Sequence, residues 1–256
     1  MYGGRQLMEE TEMDLIHHYE LDMLRELERI TKRHDIKYFL AYGSAIGAVR
    51  HKGFIPWDSD VDIVVGIDNY ERLDNLLSKQ LNKKYEVKNY KNDNTASLLF
   101  SRIVLRGESG IVVHIDIFPL VGLPNNKIKQ HIFIRLARLV NGLYFFKKVN
   151  PEMHYKGRKM NIRISKLLKV FAFPIPSKLL ISVKERLEKR YSIKDTKYLF
   201  NLCGAYGTKE IILKDWLADQ VYMDFEDEKL PLPIEYDKYL TQIYGDYMTP
   251  KKSNYV

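Results

Sequence analysis

The chain lacks most features that would place it in a membrane or in an oxidising compartment. Its 256 residues include one cysteine, Cys203, which excludes an internal disulfide bond and a cysteine-based zinc site. No uncharged apolar run approaches the roughly 18 residues of a membrane-spanning helix, and the N-terminal residues lack the apolar core of a secretory signal. With 45% hydrophobic and 29% charged residues, the composition is that of a globular protein, which we expect to be cytoplasmic.

Acidic residues are scarce in one part of the chain. Residues 127–190 contain 17 basic and three acidic residues, a net charge of +14, whereas the remainder has 24 basic and 30 acidic residues, a net charge of −6. Apolar and aromatic residues stand among these cations, and basic amphipathic helices of this kind often lie on anionic membrane surfaces. The alternative is a helical subdomain whose apolar face is its own core. No recognised nucleic-acid motif is present, and we expect no nucleic-acid partner.

The hydrophobic periodicity changes about halfway along the chain. Apolar residues three and four apart predict amphipathic helices over 11–34 and 70–81. Short apolar runs predict strands at 36–42, 61–65, 85–90, 97–105 and 111–118. After Pro119 the pattern favours helices, most of them basic. We therefore predict an α/β (α+β) fold with a catalytic core at residues 1–122 and a mostly helical, basic region at residues 123–256.

Three aspartates alternate in the run Asp58-Ser59-Asp60-Val61-Asp62, which leads into an apolar strand. Residues two apart on a strand point to the same face, so Asp60 and Asp62 are expected to lie close together. Two bare carboxylates at that distance repel each other, and a hard divalent cation removes the conflict. The spacing therefore predicts a metal site at the end of this strand.

A further aspartate stands in the apolar run His114-Ile115-Asp116-Ile117-Phe118. A carboxylate inside a strand is costly unless it is paired or binds a metal. If this strand lies beside the first, Asp116 completes a cluster with Asp60 and Asp62. The alternative is a salt bridge between Asp116 and a basic neighbour such as Arg102.

Small and basic residues precede the aspartates. Gly43 and Ser44 follow a predicted strand and precede a helical turn, where backbone N–H groups can bind phosphate. The alternative for this segment is a plain strand-to-helix turn. Arg50, His51 and Lys52 could neutralise a diphosphate, or they could form a solvated basic loop.

The whole segment from Tyr42 to Ile63 resembles the signature of the LicD family of phosphocholine transferases, which are related to the fukutin proteins. The resemblance continues at residues 114–120 and in the late run Tyr244-Gly245-Asp246-Tyr247-Met248. Family members often carry an aspartate where Ser59 stands. The resemblance implies a nucleotidyltransferase-like mixed sheet flanked by helices, followed by the helical part.

The resemblance also implies an activity. A CDP-linked donor, CDP-choline above all, would pass its substituted phosphate to a sugar hydroxyl of a surface glycan, such as lipopolysaccharide or teichoic acid, or of its lipid-linked precursor. We expect Asp60, Asp62 and Asp116 to bind Mg²⁺ (or Mn²⁺), with Asp116 as general base. The residues expected to bind the donor and its phosphates are Gly43, Ser44, Arg50, His51, Lys52 and Asp58.

Two other functions remain open at this point. The same fold could transfer the nucleotide itself to a small acceptor and release pyrophosphate. Alternatively, the protein could be a non-catalytic membrane-surface or polyanion-binding protein that acts through residues 127–190. Peripheral contact with the inner face of a membrane through these residues is compatible with the transferase function as well.

Overall fold

The computed structural model describes residues 3–107, 111–154 and 159–250, which form a mixed α/β structure. The helices within these residues are α1 (Gly3–Arg33), α2 (Tyr42–Ile46), α3 (Ile67–Gln80), α4 (Lys127–Lys148), α5 (Pro151–His154), α6 (Lys159–Ala172), α7 (Ser177–Glu188) and α8 (Tyr236–Tyr244). The strands are β1 (Tyr38–Leu40), β2 (Val61–Gly66), β3 (Tyr85–Lys88), β4 (Ser101–Leu105), β5 (His114–Leu123), β6 (Tyr198–Asn201), β7 (Ile211–Leu213), β8 (Gln220–Phe225) and β9 (Glu228–Pro233). A π-helical turn, Gly47–His51, follows α2 directly.

Seven strands form one mixed sheet with β2 and β5 at its centre. Strand β2 pairs antiparallel with β1 and parallel with β5, and β5 continues through β4 to β3 by antiparallel pairs. Further along, β5 also pairs with β6, which in turn pairs with β7. Strands β8 and β9 form a separate hairpin. Residues from the second half of the chain therefore complete the sheet of the first half.

Strand β5 is longer than the predicted strand because it continues through Pro119. A proline has no N–H group to donate, and it normally ends the pairing of a central strand. Here the pairing with β4 ends at Ile117, and the pairing with β6 begins at Leu120. Pro119 therefore lies where the strand changes its antiparallel neighbour, and its missing donor breaks neither ladder.

Helix α1 forms part of the main core and packs against α3 and β5. Four of its apolar side chains are fully buried, and each contributes roughly 1.5–3 kcal/mol by burial. These are Met23, Leu24, Leu27 and Ile30. The apolar stripe of the helix thus fixes α1 against the sheet, close to the start of β2.

The structure confirms the predicted fold class, a mixed sheet flanked by helices and followed by a helical part. The second half differs in part from its predicted helical pattern, since residues 198–233 contain strands β6 to β9, with β7 between two 3₁₀ turns. The boundary at residue 122 stays a prediction. Among the described helices, none combines the length and the hydropathy that crossing a bilayer requires.

Candidate active site

The candidate site is built on a row of polar residues that runs across neighbouring strands. Asp62 on β2 is the register partner of Asp116 on β5, and Asp116 is the partner of Arg102 on β4. Register partners in a sheet point to the same face. The structure therefore brings Asp116 beside Asp62, as the cluster hypothesis requires.

Asp116 also forms the salt bridge that was its alternative assignment. The Arg102 guanidinium engages both carboxylate oxygens, with Nε 2.6 Å from Oδ1 and Nη2 donating to Oδ2 at 2.9 Å. The Nε2 atom of His114 lies 3.6 Å from Oδ1. Burial raises the pKa of Asp116, and the charges of Arg102 and His114 oppose this rise. Cluster and salt bridge coexist, because Asp116 faces Asp62 on one side and Arg102 on the other.

Burial and mutual repulsion govern the carboxyls of the aspartate run. The pKa of Asp62 lies well above its usual value because of burial and the charges of its acidic neighbours, Asp60 first, and Arg102 opposes the shift. The pKa of Asp58 is raised to about 7 by burial and by Asp60. Ser59, between them, is exposed. In the absence of a cation, this group cannot carry its full negative charge at neutral pH.

Gly43 and Ser44 contact the aspartate run directly. A Cβ atom on Gly43 would stand 2.5 Å from Oδ2 of Asp58, so only glycine allows this carboxylate to approach the backbone. The hydroxyl of Ser44 accepts a 2.8 Å hydrogen bond from the Asp62 N–H. On the same edge of β2, which faces β1, the Asp62 carbonyl accepts one from the N–H of Ala41 at 2.9 Å. Ser44 therefore fixes the Asp62 backbone, a role that sequence reasoning did not foresee.

Tyr42, just before Gly43, has a left-handed backbone that is unusual for an aromatic residue, with φ +48°. Its buried hydroxyl donates to Glu210 Oε2 at 2.6 Å and accepts from Asn201 Nδ2 at 2.7 Å. Burial raises the pKa of Glu210 to about 7. Residues from the second half of the chain thus hold the strained turn in place.

Arg50 and Lys52, on either side of His51, bond to residues of the C-terminal part of the chain. Arg50 Nη1 donates to the Tyr247 carbonyl at 2.7 Å, and the Lys52 carbonyl accepts from the Glu226 N–H at 2.7 Å. Burial and the Arg50 charge lower the pKa of His51. The late motif around Tyr247 therefore supports the basic loop, and the donor-binding role of these three residues stays a prediction.

Glu20 on α1 is the acidic residue that sequence reasoning missed. Its side chain is fully buried, and neither carboxylate oxygen has a hydrogen-bond partner among the described residues. Burial, reinforced by the charges of Asp60, Asp58 and Asp62, raises its pKa to about 9. The signal was present in the sequence, since Glu20 interrupts the buried apolar stripe of α1 at the spacing of a core position.

The residues fit a magnesium site by their chemistry. Carboxylate oxygens are the ligands that Mg²⁺ prefers, and a bound cation would favour ionisation of the buried, unpaired Glu20. Within the described ranges of the chain, no group of three or more His, Cys, Asp or Glu side chains has ready-made ligand geometry. Mg²⁺ commonly binds one or two carboxylates together with water and substrate phosphates, so a pre-formed cage is not required.

Comparisons with known proteins support the resemblance to the LicD family. Residues 35–140 match the model of the LicD/FKTN/FKRP nucleotidyltransferase domain. The chain is 27% identical over 238 residues to the lipopolysaccharide cholinephosphotransferase LicD of Haemophilus influenzae, covering 89% of this chain and 88% of that protein.

Shorter matches connect the chain to two uncharacterized proteins. One, from Rickettsia typhi, is 29% identical over 69 residues, which cover 27% of this chain and 22% of that protein. The other, from Rickettsia prowazekii, is 33% identical over 55 residues, which cover 22% and 21%. The aspartates, the Gly-Ser turn and the basic loop all lie within the matched residues 35–140. The comparisons therefore confirm the resemblance to the LicD family that the motifs indicate, with residues 35–140 similar to its nucleotidyltransferase domain.

Proposed function

We propose that this protein transfers phosphocholine from CDP-choline to a sugar hydroxyl of a cell-surface glycan or its lipid-linked precursor, releasing CMP. The observation that carries the proposal is the in-register placement of Asp62 and Asp116. It occurs in a chain similar, over 89% of its length, to a lipopolysaccharide cholinephosphotransferase. The single cysteine favours a cytoplasmic location, where such a donor would be used.

The chemistry is an in-line displacement at phosphorus. The sugar hydroxyl oxygen attacks the choline-bearing phosphorus, the bond from that phosphorus to the bridging oxygen breaks, and CMP leaves with the electron pair. Mg²⁺ (or Mn²⁺), when bound by Asp60, Asp62 and Asp116, would stabilise the charge of the diphosphate. Asp116 is our candidate to accept the hydroxyl proton, because its raised pKa makes it a better base than an exposed aspartate.

The remaining site residues are assigned to donor binding. Gly43 leaves the backbone open beside Asp58, and we propose that Asp58 orients the donor. Arg50, with His51 and Lys52, would offset charge on the departing CMP. The anchoring of Arg50 to the Tyr247 carbonyl supports this role, because it holds the guanidinium in a defined position.

Product analysis tests the reaction. Purified protein is incubated with Mg²⁺, a glycan acceptor and CDP-choline, and in parallel with CDP-ethanolamine, CDP-glycerol and CDP-ribitol. We expect CMP and a new phosphodiester by ³¹P NMR, with CDP-choline the best donor. In a further reaction with a nucleoside triphosphate in place of the CDP-linked donor, release of pyrophosphate would indicate nucleotidyl transfer instead. No turnover with any CDP-linked donor would overturn the proposal.

Matched variants assign the activity to the site. Asp62→Asn should lower turnover by at least about a hundredfold with the fold intact, because the row loses a carboxylate. Asp224→Asn, on the exposed part of the β8–β9 hairpin, is the control and should leave turnover unchanged. Wild-type activity in a folded Asp62→Asn protein would refute the assignment.

A further inference from the structure

The basic part of the chain exposes an unusual amount of apolar surface. Eleven of the eighteen large apolar side chains that are exposed in the described residues lie between positions 128 and 179. They are Ile128, Ile132, Leu136, Leu139, Ile164, Leu167, Leu168, Val170, Phe171, Phe173 and Leu179. An exposed apolar patch with polar surroundings indicates an interaction site.

Helix α6 packs with its small residues inward and its large apolar residues outward. It lies against α4, and among its residues 161–172 the buried ones are Ser165 and Ala172, which are two turns apart on one side. Ile164, Leu168 and Phe171 recur at helical spacing on an adjoining side and remain exposed. Because a core-facing helix shows the reverse arrangement, the apolar side of α6 is not part of the core.

Helix α4, which packs against α6, carries its own exposed apolar stripe and borders a groove. Its exposed apolar residues recur at spacings of four, four and three, so they form one stripe along the helix. Between α4 and α7 lies a groove of about 380 Å³. Ile132 and Leu136 lie in its wall, and the cations Lys129, Arg186 and Arg190 also line it. Apolar walls beside several cations suit the acyl chain and phosphate of an anionic lipid.

We propose that the α4–α6 surface, meaning the exposed apolar side chains at 128–139 and 164–173 with the groove beside α7, docks onto an anionic phospholipid bilayer. The charge of residues 127–190, +14 in an otherwise acidic chain, complements such a bilayer. A second copy is disfavoured because two surfaces of like charge repel each other. A polyanion without apolar groups would leave the ten exposed apolar side chains of this surface uncovered.

The docked state follows the rules for interfacial helices. The apolar side chains enter the boundary between headgroups and acyl chains, and the cations contact the phosphates. Binding should therefore require both anionic lipid and the aromatic side chains, and it should weaken with salt. The proposal goes beyond the transferase function, since a protein without catalytic activity would still bind vesicles.

Vesicle flotation with the full chain tests the proposal. We expect binding to vesicles of mixed phosphatidylcholine and phosphatidylglycerol and little binding to phosphatidylcholine alone. The double variant Phe171→Ser with Phe173→Ser should reduce partitioning by at least about tenfold, because both rings are exposed and available for insertion. The control Val112→Ser with Ile234→Ser removes two exposed apolar groups outside this surface and should bind as the wild type does.

Separate measurements distinguish a bilayer from other possible partners of this surface. A wild-type protein that stays in solution with anionic vesicles, or a phenylalanine double variant that floats unchanged, would overturn the proposal. A dimer in sedimentation velocity that the same double variant dissociates would assign the surface to a second copy. Replacement of Arg186 and Arg190 by glutamine should weaken binding to anionic vesicles, and unchanged binding would contradict the electrostatic part.

Discussion

Replacement of Glu20 by glutamine should stabilise the metal-free protein at neutral pH. A carboxyl whose pKa is raised on folding destabilises the folded protein at every pH at which the same carboxyl is ionised in the unfolded chain. Its penalty is absent below the unfolded pKa of 4.5, grows as pH rises, and reaches its full size above the folded value of about 9. At pH 7 the penalty is about 3 kcal/mol, and glutamine removes it because it does not ionise.

The assay is unfolding by urea or heat in the presence of EDTA across the pH range 5 to 8. Glu20→Gln should raise the midpoint by roughly 5–10 °C at pH 7, with a smaller gain at pH 5. Glu12→Gln, an exposed position on the same helix, is the control and should change stability by less than about 0.5 kcal/mol. A variant less stable than the wild type at pH 7, or a gain independent of pH, would refute the reasoning.

Magnesium should reverse part of this gain. If the acidic site binds Mg²⁺ with ionised carboxylates, the ion stabilises the wild-type protein by mass action. Loss of Glu20 removes one nearby negative charge, so the Glu20→Gln protein should gain less from the same Mg²⁺ concentration. Equal Mg²⁺-dependent shifts in both proteins would show that Glu20 does not contribute to cation binding.

Three further substitutions test individual contacts of the site. Arg102→Leu leaves the buried Asp116 carboxylate without its bidentate partner and should cost about 3–5 kcal/mol in urea unfolding; a loss below about 1 kcal/mol would contradict the importance of the pair. Tyr42→Phe removes two buried hydrogen bonds and should destabilise the protein by about 1–3 kcal/mol, whereas an unchanged midpoint would show that the network is dispensable. Gly43→Ala places a methyl group against Asp58 and should lower donor affinity in a titration with CDP-choline, so wild-type affinity would argue against the proposed role of Asp58.

The aspartate cluster shows how far sequence periodicity reaches. Alternation predicted that Asp60 and Asp62 share a face, since this follows from strand geometry within one segment. The position of Asp116 depended on which strands pair, and a shift of one residue would have turned it to the other face. The parallel register between β2 and β5 placed it beside Asp62.

Contacts with distant parts of the chain explain what sequence reasoning missed. Sequence reasoning gave the Gly-Ser turn two interpretations, a phosphate-binding turn and a plain strand-to-helix turn. The hydrogen bond from the Asp62 N–H to Ser44 was not predicted, because it depends on how α2 packs against β2. The periodicity predicted the helix that contains Glu20. Its proximity to Asp60, however, results from the packing of α1 against the sheet. Such contacts join residues far apart in sequence, and no local pattern encodes them.

By itself, the sequence determined most of the helices and the strands of the first half, the pair of aspartates on one strand and the concentration of positive charge between residues 127 and 190. These features follow from local periodicity and composition, which each segment carries with it. The tertiary structure decided that Asp116 faces both Asp62 and Arg102, that Glu20 is buried without a partner, and that the large apolar residues of α6 face solvent. Burial and strand pairing are properties of the whole packed chain, which is why they had to be read from the folded protein.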